Sequence, residues 1–192
     1  MADIAASLLA KIKNKSRQTG KPYQLCLQLF FQEEFLRRLA GSKYTGNFIL
    51  KGGLLIYTLT NFESRPTVDI DFLLHHMEND PDHMDQVLAD ILATPTGHND
   101  VVILTANKVT PISLHREYPG VSAQLIGHIK NVRVPFDVDI GVGDVIVPKH
   151  KSVSFSRSLR DLTHRKSWHI RWKARLPKSW MPFSSALSSR DV

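Results

Sequence analysis

Cysteine is nearly absent from this chain. Cys26 is the only one in 192 residues, so no internal disulfide can form and most sulfur metal sites are excluded. It falls within an apolar helical pattern and reads as core. Long apolar runs are missing too, since none approaches the roughly twenty residues that cross a bilayer. The N-terminus, MADIAASLLAKIKNK, has no basic segment ahead of its short apolar stretch, so neither a membrane helix nor a signal peptide is expected. A cytoplasmic protein without membrane contact is the resulting expectation. What is present is a 42% hydrophobic composition, enough for one globular domain with a substantial core.

The stretch from Asn47 to Leu74, NFILKGGLLIYTLTNFESRPTVDIDFLL, carries the most chemistry. Phe48-Ile49-Leu50 reads as a short buried strand, Lys51-Gly52-Gly53 as a turn, and Leu54 to Leu59 as about two turns of helix. Two glycines let the backbone approach a ligand closely, and the free N–H groups of the next helix suit a phosphate. Most such pairs, however, simply make a turn. Next, Val68-Asp69-Ile70-Asp71-Phe72 alternates so that both aspartates share one strand face. Solvated strand faces produce the same pattern. Val132 to Ile140 repeats it, with Asp137 and Asp139 on the polar side, so one or two further carboxylates can join the first pair. Carboxylates gathered this closely repel unless a divalent cation neutralises them, and Mg²⁺ is the usual partner where phosphates complete its shell.

These motifs resemble the nucleotidyltransferase superfamily and, more closely, the AbiEii/AbiGii toxin family of bacterial toxin–antitoxin and phage-defence systems. The matching text is FQEEFLRRLAGSKYTGNFILKGGLLI, then RPTVDIDF from Arg65 to Phe72, then REYPGVSAQL and VDIGVGDVIVP, spanning roughly Tyr23 to Pro148. The resemblance implies that Gly52 and Gly53 hold a triphosphate, that Asp69 and Asp71 bind metal, and that Asp139 is the third carboxylate, with Asp137 second in line. Lys51 and Arg65 would offset the phosphate charge, although either could equally be a structural ion-pair residue. It further implies transfer of a nucleotide from a nucleoside triphosphate to an RNA acceptor, with tRNA the expected class, and a cognate antitoxin as partner. Two other readings stay open: a non-catalytic remnant that binds nucleotide or antitoxin, and an aspartate-cluster nuclease.

Elsewhere the chain predicts an amphipathic helix from Asp3 to Lys13 with Ile4, Leu8 and Ile12 on one stripe. A second runs from Pro22 to about Ala40 with Leu25, Leu29, Leu36 and Leu39 inward and Glu33, Glu34, Arg37 and Arg38 solvated. A third starts at Asp82 with Met84, Val87, Leu88, Ile91 and Leu92 at helical spacing. Strands are expected near Val101 to Thr105 and over Val121 to Ile129. His75 and His76 lack partners at zinc-type spacing and read as loop or solvent. The order predicts an α+β (mixed α/β) fold, a nucleotidyltransferase-like mixed sheet with helices packed mainly on one face, over residues 1–148.

Residues 149–192 differ in kind. They hold eleven Lys or Arg against two Asp, a net of +9, whereas residues 1–148 carry −2. All three tryptophans are also there, without helical or strand period. Such a basic, irregular tail could bind nucleic acid or be disordered. A third reading is a frameshift. Shifting the frame so that each codon takes one residue's last base and the next residue's first two, Trp168-His169 forces Ala, Trp172-Lys173 forces Glu, Trp180-Met181 forces Asp and Met181-Pro182 forces Ala. The shifted frame accommodates A-Y-P-L-E-x-x-I-A-E-K-L-D-A, which resembles the segment the toxin family carries next, active-site lysine included. On that reading the chain as written is a truncated, impaired catalyst.

Overall fold

A computed structural model describes residues 3–59, 67–97, 101–112, 120–142, 151–155 and 168–172. Helix α1 covers Ile4–Thr19, longer than the sequence suggests. Asp3 caps it by accepting the Ala6 N–H at 3.0 Å, and Gly20 ends it in the left-handed conformation. Leu8 and Ile12 are buried as expected, whereas Ile4, on the same stripe, is exposed. Helix α2 spans Tyr23–Gly41 after Pro22. Strand β1 (Phe48–Lys51), helix α3 (Gly52–Leu59) and strand β2 (Ile70–Leu74) follow the predicted order. Helix α4 spans Pro81–Ala93, with Asp80 as its cap and all five predicted apolar residues buried. Strands β3 (Ile103–Ile112), β4 (Gly120–Ile129) and β5 (Val132–Gly141) form two hairpins, and β6 (Lys151–Phe155) and β7 (Trp168–Trp172) complete the strands.

The architecture is mixed α/β, a seven-stranded sheet in the order β3-β4-β5-β2-β1-β7-β6. Two neighbour pairs are parallel, β2 with β5 and β1 with β7; the others are antiparallel. Alternation in β5 sends Val134, Phe136, Val138 and Ile140 into the core. There they meet α2 and α4 through Phe31, Phe35, Leu88 and Ile91, with Cys26 also buried. The tail, expected to be irregular, contributes two short strands, and their residues do alternate: Val153 and Phe155 with serines, and Trp168, Ile170 and Trp172 with His169 and Arg171. The rest of 149–192 lies outside the described residues.

Two expectations about α2 are corrected. Glu34 and Arg38 are not solvated but fully buried, 0% and 3% exposed. Arg38 bonds Glu34 Oε1 at 3.2 Å through Nε, the Leu92 carbonyl at 2.5 Å through Nη1 and the Val102 carbonyl at 2.6 Å through Nη2. Thr96 donates to the same Glu34 oxygen at 2.5 Å, and Arg37 reaches the other at 3.1 Å. The guanidinium thus ties α2 to the end of α4 and the approach to β3, caps two carbonyls and neutralises a buried carboxylate. Leu25 and Leu29, predicted inward, are only half-buried, because α2 turns Leu27, Phe30 and Phe31 into the core instead.

Gly127 in β4 is what lets Phe31 lie against the sheet: a Cβ there would stand 2.2 Å from the ring. We expect Gly127→Ala to destabilise the fold by about 1–3 kcal/mol in denaturant unfolding, the usual range for overpacking a filled core. Unchanged stability would mean that the ring is not seated as described.

Candidate active site

The site begins where β1 hands over to α3. Gly52 has φ 70°, a left-handed conformation that side chains resist. A Cβ on it would lie 2.0 Å from Asp71 Oδ2, so the turn needs glycine for both conformation and space. A Cβ on Gly53 would meet Thr67 Cβ at 2.9 Å, which sets the segment leading into β2 directly on the turn. The glycine pair is therefore the floor on which the D-x-D segment rests.

Sheet register does the rest. Lys51 pairs with Asp71 across β1 and β2, Asp71 with Asp139 across β2 and β5, and Asp139 with Ser122 across β5 and β4. Four chemistry-bearing side chains thus form one row across four neighbouring strands. Ser122 Oγ donates to Asp139 Oδ1 at 2.7 Å. The Lys51 ammonium lies 3.4 Å from where a Cβ on Gly141 would sit, so a side chain at 141 would crowd it.

The carboxylates sense one another. Asp71 is pushed above the ordinary aspartate range, first by partial burial and then by the charges of Asp139 and Asp69, against the opposing pull of Lys51 and of a hydrogen bond from the Gly53 N–H. Asp69 is raised as well, by desolvation first and then by Asp137 and Asp139. Asp139 therefore acts on both members of the D-x-D pair, and Asp137 on Asp69 alone among the two. Among the described residues no three His, Cys, Asp or Glu side chains converge tightly enough to ligate an ion as they stand. Asp71 is turned instead onto the Gly53 N–H.

Of the residues singled out in the sequence, Lys51, Gly52, Gly53, Asp69, Asp71, Asp137 and Asp139 come together, and Arg65 lies outside the described residues. His75 and His76 sit just past β2, outside the strand as expected, with rings stacked at 3.7 Å. Ser122, Thr67, Gln28 and Gln32 also belong to this neighbourhood. Of these, Ser122, Thr67 and Gln32 lay within matched motifs and Gln28 did not, and none had a spacing that marked it.

Two outcomes follow from this geometry. Raised carboxyls bind protons more tightly folded than unfolded, so they weaken the fold near neutral pH, and that loss is relieved as pH falls towards 3.8, the ordinary aspartate value. Asp71→Asn should therefore melt at or above the parent temperature near neutral pH, with the margin shrinking on acidification; a lower melting temperature near neutrality would contradict the electrostatics. Gly52→Ala should lose about 1–2 kcal/mol in urea unfolding from the left-handed backbone alone, and full retention of stability would show that the turn can relax.

No curated protein matches the chain. Among solved structures, a candidate nucleotidyltransferase from H. pylori matches with TM-score 0.47 at 15% identity, over 79% of this chain and 54% of that one. JHP933 from Helicobacter pylori gives 0.45 at 15%, over 79% and 53%. The chain spans about half the length of these structures. The family model described as nucleotidyl transferase AbiEii toxin, type IV toxin–antitoxin system, matches residues 34–177, and the chain belongs to that family.

Proposed function

We propose that the row Lys51–Asp71–Asp139–Ser122, with Asp69 beside it, is a nucleotidyl-transfer site working on a nucleoside triphosphate and an RNA hydroxyl, with a tRNA end as the expected acceptor. The observation that carries this reading is the register that sets two carboxylates on adjacent strands above a glycine turn. The acceptor oxygen attacks the α-phosphorus, the new O–P bond forms as the bond to the bridging oxygen breaks, and pyrophosphate leaves. The proton passes from the hydroxyl to a carboxylate of the row or to water.

The donor set fits a hard divalent cation, since the charge of Asp139 bears on both Asp69 and Asp71 while, among the described residues, Lys51 and the Gly53 N–H offset Asp71 only in part. Asp69, Asp71 and Asp139 would hold it. Asp139 is preferred to Asp137 because its charge reaches both Asp69 and Asp71. When bound, Mg²⁺ neutralises phosphate charge and lowers the cost of forming an alkoxide. The Gly53 N–H, which now serves the Asp71 carboxylate, is the turn's donor for a phosphate oxygen. Lys51 reaches over the row towards Gly141, placing a positive charge where phosphates would enter. Arg65 would add to that charge. A cognate antitoxin, and a role in phage defence within the cytoplasm, belong to the same reading.

Labelled nucleotide incorporation into RNA, run beside an RNA-cleavage assay, separates the readings. Asp69→Ala and Asp71→Asn should each reduce incorporation by at least about 100-fold, the scale of losing a transition-state electrostatic partner. A chain re-framed after Val147 to carry A-Y-P-L-E and I-A-E-K should incorporate faster than the chain as written. Cleavage that depends on Asp69 without incorporation would favour a nuclease, and neither activity in either chain would leave a binding remnant.

A further inference from the structure

Asp69 stands just before β2, which begins at Ile70, so it is held through the segment that precedes the strand as well as through the sheet. The preceding side chain does not anchor it, because Val68 is 58% exposed. The Val68 carbonyl does so. Gln28 Nε2 donates to it at 2.8 Å and Gln32 Nε2 at 2.7 Å, two donors one helical turn apart on α2 filling both lone pairs of one oxygen.

The clamp has a cost that packing alone does not require. Gln32 is wholly buried, and its Oε1 has no hydrogen-bond partner among the described residues. Leaving such an atom unmet costs about 1–3 kcal/mol, which a leucine at the same helix position would avoid. On the other side of the same segment, Thr67 rests on Gly53. The peptide ahead of Asp69 is thus held between α2 and the glycine turn.

We infer that Gln28 and Gln32 are positioning residues for Asp69: they fix the peptide preceding it so that its carboxylate meets a divalent cation alongside Asp71 and Asp139. This rests on the transfer-site reading above. The two glutamines touch neither substrate nor reacting atoms, and they act only through the Val68 carbonyl. Because the bond is to backbone rather than to the carboxylate itself, the effect is one of aim and not of charge.

Mn²⁺ titration followed by the electron paramagnetic resonance signal of the free ion tests this on the full chain without relying on turnover. Parent, Gln32→Leu, Gln28→Leu and Asp71→Asn proteins are compared, each with its melting temperature. Gln32→Leu should melt at or above the parent temperature, since it removes an unmet buried oxygen, yet bind Mn²⁺ about tenfold more weakly, the scale of losing an outer-shell support. Gln28→Leu, on the more accessible side of the clamp, should weaken binding in the same direction and serves if Gln32→Leu does not fold. Mn²⁺ affinity equal to the parent in the folded glutamine variants overturns the positioning role and leaves the site reading intact. A parent protein whose Mn²⁺ binding is absent, or indifferent to Asp71→Asn, overturns both.

Discussion

The parallel pairing of β2 with β5 is the constraint on which the site depends. It sets Asp71 and Asp139 side by side on one face, an arrangement that costs energy in any protein without a compensating charge. The chain meets that cost only in part, through Lys51 one strand over, the Gly53 N–H beneath and Ser122 at the far end of the row. What remains is a stored repulsion that a cation or a proton relieves. On the reading proposed above, a divalent ion is what would relieve it.

The scaffold explains how such a row can be held. Below it, alternation in β5 sends Phe136 and Val138 down onto α2, so Asp137 and Asp139 have no choice but the other face. Gly52 removes the Cβ that would strike Asp71, and Gly53 the one that would strike Thr67. Behind these, Arg38 and Glu34 form a buried ionic strap joining α2 to α4 and to the approach to β3. Helix α2 is therefore more than a cover: its inner face packs the core, its charged residues brace a second helix, and two of its glutamines reach the segment carrying Asp69.

Much of this was legible in the sequence, for a definite reason. The period of α4, the alternation of β5 and the strand–glycine–helix order around Lys51 are local, and each follows from backbone geometry over a few residues. Where reading failed, the missing information was non-local. Glu34 and Arg38 look like a solvated pair until Leu92 and Val102 offer their carbonyls. The strand Trp168–Trp172 does alternate, Trp168, Ile170 and Trp172 against His169 and Arg171, but five residues in an irregular tail carry too little signal, and only pairing with β1 and β6 places it.

The sequence alone determined which residues could be chemical: a glycine pair after a strand, aspartates spaced to share a face, and motifs that resemble one toxin family. Side-chain periodicity is written into every dipeptide, so these were visible without folding. Only the tertiary structure decided that Asp71 stands opposite Asp139, that Ser122 and Lys51 close the row on either side, and that Gln28 and Gln32 hold the peptide before Asp69. Register between strands depends on the whole sheet finding its pairing at once, and no short stretch of chain encodes it.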